Sequence, residues 1–86
     1  MSQNKVKVFE NEQFGQIRVE LINNEPWFVG KDVADALGYS DTAQAVRDHV
    51  EDEDKGVVEM TTPGGVQKMV SINESGFYSL VLSSRI

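Results

Sequence analysis

One histidine, seven serines and no cysteine define the catalytic chemistry open to this chain. His49 lies beside Asp48, but neighbouring positions on a helix point about 100° apart, so the two cannot act as base and orienting acid. No serine sits in a nucleophile elbow. Without cysteine, disulfides, thiol catalysis and thiolate metal sites are excluded. The run Glu51-Asp52-Glu53-Asp54 invites comparison with a calcium loop. Counted from Glu51, Gly56 occupies the glycine position, but Lys55 and Thr62 stand where ligands are required, which leaves a solvated acidic turn. Gly64-Gly65 has no lysine-serine pair behind it and is not a phosphate loop. No enzyme, metal or cofactor is expected.

Recognition chemistry is the stronger signal. Gln44 and Arg47 are residue types that read base edges, amide to adenine and guanidinium to guanine. Ser40 and Thr42 stand just before them. Lys31, Lys55 and Lys68, with the tip at 63–65, are candidate phosphate contacts.

The elements that must position these residues follow from periodicity. Val6 and Val8, then Ile17, Val19 and Leu21, alternate with polar neighbours, which marks half-exposed antiparallel strands. Asn23-Asn24 suits a two-residue turn into a third strand, 25–29. After Gly30 the period becomes helical: Val33, Ala34 and Leu37 share one face, Asp32 and Asp35 suit the early helix dipole, and Gly38 reads as a C-cap. A second helix follows the turn Tyr39-Ser40-Asp41. Asp41 or Thr42 is its N-cap, Ala43, Val46 and Val50 are its buried face, and His49 lies near its C-terminus. Strand signals return at 56–62 and continue beyond Pro63-Gly64-Gly65 through Val66, Val70 and Ile72, a second hairpin. Asn73 or Ser75 caps a last helix carrying Phe77, Tyr78, Leu80 and Val81. The order βββ-αα-ββ-α is an α+β domain. Residues 31–50 followed by the hairpin have the parts of a helix-turn-helix with a wing, with a turn about one residue longer than the tightest motif. An ordinary αα-hairpin in a core explains the same pattern equally well.

The 86 residues make one small domain, 40% apolar, with 8 basic and 14 acidic residues and a net charge of −6. The acidic balance argues against non-specific nucleic-acid binding and against anionic membranes, so any DNA contact must rest on a local basic site. Apolar runs reach only three residues, far short of a membrane span, and the opening residues lead into no secretory signal. A cytoplasmic protein is expected. The chain ends at Arg85-Ile86 directly after an apolar helix, which suggests a domain of a longer protein.

Pro26-Trp27-Phe28-Val29-Gly30-Lys31-Asp32-Val33-Ala34 and Ala36-Leu37-Gly38-Tyr39 resemble the Bro family N-terminal domain. Phe9-Glu10, Phe14-Gly15, Arg47-Asp48-His49-Val50, Asp54-Lys55-Gly56, Thr62-Pro63-Gly64-Gly65 and Ile72-Asn73-Glu74-Ser75-Gly76-Phe77-Tyr78-Ser79-Leu80 agree with it in order and spacing. The resemblance covers residues 8–85 and implies a DNA-binding module at the N-terminus of a phage or prophage antirepressor, followed by a different C-terminal domain. Family members continue past a pair like Ser84-Arg85 into another helix. Some of these blocks have structural explanations. Trp27 and Phe28 suit core anchors, Tyr39 suits a ring beneath the helix turn with its hydroxyl outward, and Gly64-Gly65 suits a turn's positive φ.

The expected partner is double-stranded DNA, bound by a homodimer with few phosphate contacts. The alternative is a protein-interaction module that inactivates a phage repressor through Asp48 and the acids at 51–54.

Overall fold

A computed structural model describes residues 5–11, as strand backbone, and residues 15–84. The elements are β1 (Lys5–Asn11), β2 (Gly15–Ile22), β3 (Glu25–Val29), α1 (Gly30–Ala36), α2 (Thr42–His49), a 3-10 turn (Asp52–Asp54), β4 (Lys55–Thr62), β5 (Gly65–Ile72) and α3 (Glu74–Ser83). This is the α+β order expected from periodicity. The expectations resting on Phe14 and Arg85, and on the side chains of Val6, Val8, Phe9 and Glu10, lie outside the described residues.

Local chemistry sets the joints. Asn23 and Asn24 both take positive φ, 54° and 65°, the conformation of a type I′ turn between β2 and β3. The α1 C-cap is Leu37, with Gly38 one residue beyond at φ 89°. There the Gly38 amide donates to the Asp35 carbonyl and the Tyr39 amide to the Ala34 carbonyl, each at 3.0 Å, a Schellman closure that ends the helix. Asp41 caps α2 by accepting from the Gln44 amide, and Asn73 caps α3 by accepting from the Gly76 amide. At the second hairpin Gly65, not Gly64, supplies the positive φ, at 113°. Pro63 and Gly64 form the two-residue loop, and the extra bend falls on the first residue of β5.

The strands form one antiparallel sheet in the order β1-β2-β3-β5-β4. Register puts Val19, Phe28 and Ile72 on one face, which the helices cover. Val33, Ala34, Ala45, Val46, Val50 and Leu80 close over Ile72 there. Ile72 and Leu80 have no exposed surface, and each such burial stabilises by about 1.5–3 kcal/mol. Phe77 of α3 stacks on Phe28 with ring centroids 5.0 Å apart. Gly76 lets α3 approach: a Cβ there would stand 2.9 Å from Val50 Cγ1 and 3.0 Å from Ile72 Cβ. The opposite face holds a second cluster, Val29, Val58, Met60 and Met69, flanked by Ile22 and Trp27.

Two details correct the sequence reading. Ala45, rather than Ala43, joins Val46 and Val50 in the core, because α1 lies against that side of α2 and Ala43 is left exposed. The Tyr39 hydroxyl points inward and donates to the Leu80 carbonyl at 2.9 Å, tying the turn after α1 to α3. Burial pushes this phenol's pKa up.

β5 pairs with β3 only at Ile72 and Ser71. The other six pairs of the β4–β5 ladder, from Val57 opposite Val70 to Thr62 opposite Gly65, run past the end of β3 as a two-stranded arm. The sheet is therefore split where β3 turns into α1.

Candidate nucleic-acid interface

The split opens a cleft of about 480 Å³ between α2, the start of α1 and the base of the arm. Val29, Val46, Met69 and Val70 form an apolar floor, and Thr42, Ala43 and Gln67 complete the walls. Its four charged residues, Lys31, Arg47, Lys55 and Lys68, are all basic.

Each reaches the cleft for a local reason. Lys31 is the second residue of α1, placed by the direct passage of β3 into that helix. Thr42 and Arg47 flank Val46, whose burial fixes the rotation of α2. Lys55 starts β4 after the 3-10 turn, and Lys68 stands opposite Glu59 on the arm. Residues from both faces of β5 line the cleft because it opens at that strand's unpaired edge.

This gathering reverses the local meaning of the chain's charge. Of the five described Lys and Arg side chains, four line the cleft. The fifth, Arg18, is spoken for: Nε and a terminal nitrogen donate to the two oxygens of Asp32 at 2.7 and 2.9 Å, and its backbone N–H adds a 3.1 Å bond. Those bonds raise the Arg18 pKa still further and pin α1 to β2, a larger role for Asp32 than helix-dipole compensation. Lys55, its side chain 21% exposed, meets Asp52 at 3.3 Å, and solvent screens this pair because Asp52 is fully exposed.

Five of the seven sequence-derived candidates thus share one cleft: Lys31, Thr42, Arg47, Lys55 and Lys68. Ser40 and Gln44 do not line it. Ser40 is exposed in the turn before α2, and exposed Gln44 lies one turn before Arg47, outside the cleft wall. Gln67 and the apolar floor were not anticipated. Strand alternation assigns Gln67 and Lys68 to opposite faces, so only the split in the sheet explains why both border the same space.

The remaining candidates are placed by structural needs. His49 is exposed at the end of α2, its ring centroid 5.7 Å from that of Tyr39. Asp48, in the last turn of α2, and Glu51, Asp52 and Glu53 beyond that helix are exposed and do not line the cleft. Asp54 Oδ1 accepts from the Asn73 amide group at 3.2 Å and its carbonyl accepts from the Asn73 N–H, so the last acid of the run anchors α3. Among the described residues, no helix is long and apolar enough to cross a membrane.

Residues 16–86 match the model of the BRO family, N-terminal domain. An uncharacterized protein of Haemophilus influenzae is 35% identical over 82 residues, covering 90% of this chain and 40% of the relative. Protein 289L of Invertebrate iridescent virus 6, named for a Bro-N domain, is 34% identical over 87 residues, covering 80% of this chain and 21% of the relative. Protein 201R of the same virus, similarly named, is 35% identical over 89 residues with the same coverage. The chain therefore spans less than half the length of these relatives. No solved structure matches it.

Proposed function

The chain belongs to the BRO family by its N-terminal domain, and from that premise we propose that it is a DNA-binding module of a phage or prophage antirepressor. One observation carries this reading: in a chain with net charge −6, the residues that line a single cleft beside α2 include four cations and no carboxylate. Lys31, Lys55 and Lys68 contact phosphates of double-stranded DNA, which fixes register without reading sequence. Arg47, with Gln44 and Thr42 on α2 and Ser40 in the turn before it, reaches base edges in the major groove. Two chains act together on the duplex, because a module this small buries too little surface alone for tight specific binding. The setting is the cytoplasm of an infected or lysogenic bacterium.

The test is fluorescence anisotropy with labelled duplex fragments from phage control regions at about 50 and 200 mM salt. Saturable binding that weakens with salt supports the reading. A flat trace at both concentrations rejects it for this chain.

A second reading is favoured by the exposure of Glu51, Asp52 and Glu53, none of which lines the cleft, although Asp52 meets Lys55 at its edge. There the module captures a phage repressor by presenting a DNA-like acidic face. Glu51→Lys with Asp52→Lys abolishes repressor capture on this reading and does not weaken DNA binding on the first.

A further inference from the structure

The β4–β5 arm carries apolar surface that no core requires. Val57, Val66 and Val70 are 63%, 67% and 50% exposed. By register all three share the face that carries Ile72, the face on which the helices lie. The helices cover that face only at the base of β5. Beyond them it continues outward as Val57 opposite Val70, then Glu59 opposite Lys68, then Thr61 opposite Val66, and ends at exposed Pro63. Val70 and Lys68 already line the basic cleft. A partner that fills the cleft therefore meets Val57 and Val70 first, then the exposed Glu59–Lys68 rung, then Val66 near the tip.

We propose that the arm enters the minor groove next to the major groove faced by α2, and that Pro63 and Val66 wedge between base pairs there and bend the duplex. This rests on the DNA reading of the cleft. The spacing suits it. Val66 lies four residues beyond Val70, about 14 Å along a strand. Neighbouring groove centres are about 17 Å apart, half of the roughly 34 Å helical repeat. The tip has the chemistry of a wedge, because Pro63, Gly64, Gly65 and Val66 carry no charged or polar side chain. Minor-groove proteins insert such side chains and kink DNA by about 20–90°. Lys68, between the cleft and the tip, meets the backbone that separates the two grooves.

The test combines two readouts on the full chain: anisotropy for binding, and energy transfer between dyes at the ends of a random pool of 40-base-pair duplexes for bending. The wild-type chain raises transfer at saturation. Val66→Ser loses at least half of that rise while its affinity stays within about threefold. Val66→Lys keeps or gains affinity and also loses the rise, so a general loss of binding cannot imitate the result. The proposal fails if saturated wild-type complexes leave transfer unchanged, or if both variants bend DNA as the wild type does. It also fails if sedimentation shows a concentration-dependent dimer that Val66→Ser dissociates, since the strip then serves a second copy. Absence of any wild-type anisotropy change rejects the DNA reading itself, which separates the two failures.

Discussion

Lys68→Ala offers the most direct measure of the cleft. Lys68 is exposed on β5, and its removal touches neither buried cluster. Each phosphate neutralised on duplex DNA contributes about −0.9 to the slope of log K against log salt. With Lys31, Lys55 and Lys68 on phosphates and Arg47 on a base, the slope is about −2.7 per bound chain. A fourfold rise from 50 to 200 mM salt then weakens binding ~40-fold. Lys68→Ala brings the slope to about −1.8 and the loss to ~12-fold, and two chains on one duplex double both slopes. Both values are shallow beside proteins with six to ten phosphate contacts, as an acidic chain requires. Anisotropy titrations at four salt concentrations, for both proteins on the same duplex pool, give the two slopes. An unchanged slope in Lys68→Ala refutes the phosphate role of Lys68. A wild-type slope near zero refutes the cleft as the interface.

Arg47→Ala is expected to cost about 1–3 kcal/mol against a selected cognate site and far less against random duplex, measured by competition. Gly76→Ala forces a methyl group to 2.9 Å from Val50 Cγ1 and 3.0 Å from Ile72 Cβ, and is expected to destabilise by about 1–3 kcal/mol in urea unfolding. Tyr39→Phe removes the 2.9 Å bond to the Leu80 carbonyl, at a cost of about 1 kcal/mol near neutral pH. The raised folded pKa of that phenol means that the folded state holds the proton more tightly. Its contribution is complete below about pH 10 and is lost as pH rises through the folded value, so the gap between wild type and Tyr39→Phe narrows in strongly alkaline unfolding series.

Much of this architecture is legible in local chemistry. Asn23-Asn24, Asp41 and Asn73 determine their own joints, because turn and cap preferences act within a few residues. The helical face 33, 34, 37 is similarly local. Ala43 and Ala45 have the same propensity, and only the position of α1 decides which is buried. Tyr39 shows the same limit, since its hydroxyl partner lies 41 residues away on α3. For the candidate site, residue type sufficed to nominate the cations. Their convergence depends on β3 leaving the sheet after two pairs with β5, and no periodicity within either strand encodes that. The valines of the arm mislead for the same reason: alternation assigns them to the helix-covered face, but the helices end before reaching them.

The seam between β3 and β5 also bears on how the chain reaches this state. The meander β1–β2–β3 and the hairpin β4–β5 are joined by sequence-local turns, and such ladders form in about 1–10 μs. The two rungs at Phe28–Ile72 and Val29–Ser71 are different, since they link residues more than 40 positions apart. Loop-closure entropy must be overcome before these rungs stabilise anything, so docking of two preformed ladders is the slow step of folding. Ile72 lies in the seam and in the helix-covered cluster at once, and Ile72→Val is expected to slow refolding in stopped-flow chevrons more than it speeds unfolding. The arm's tip closes its own ladder, with Thr62 Oγ1 donating to the Gly65 carbonyl at 2.8 Å, but takes no part in the docking at the seam.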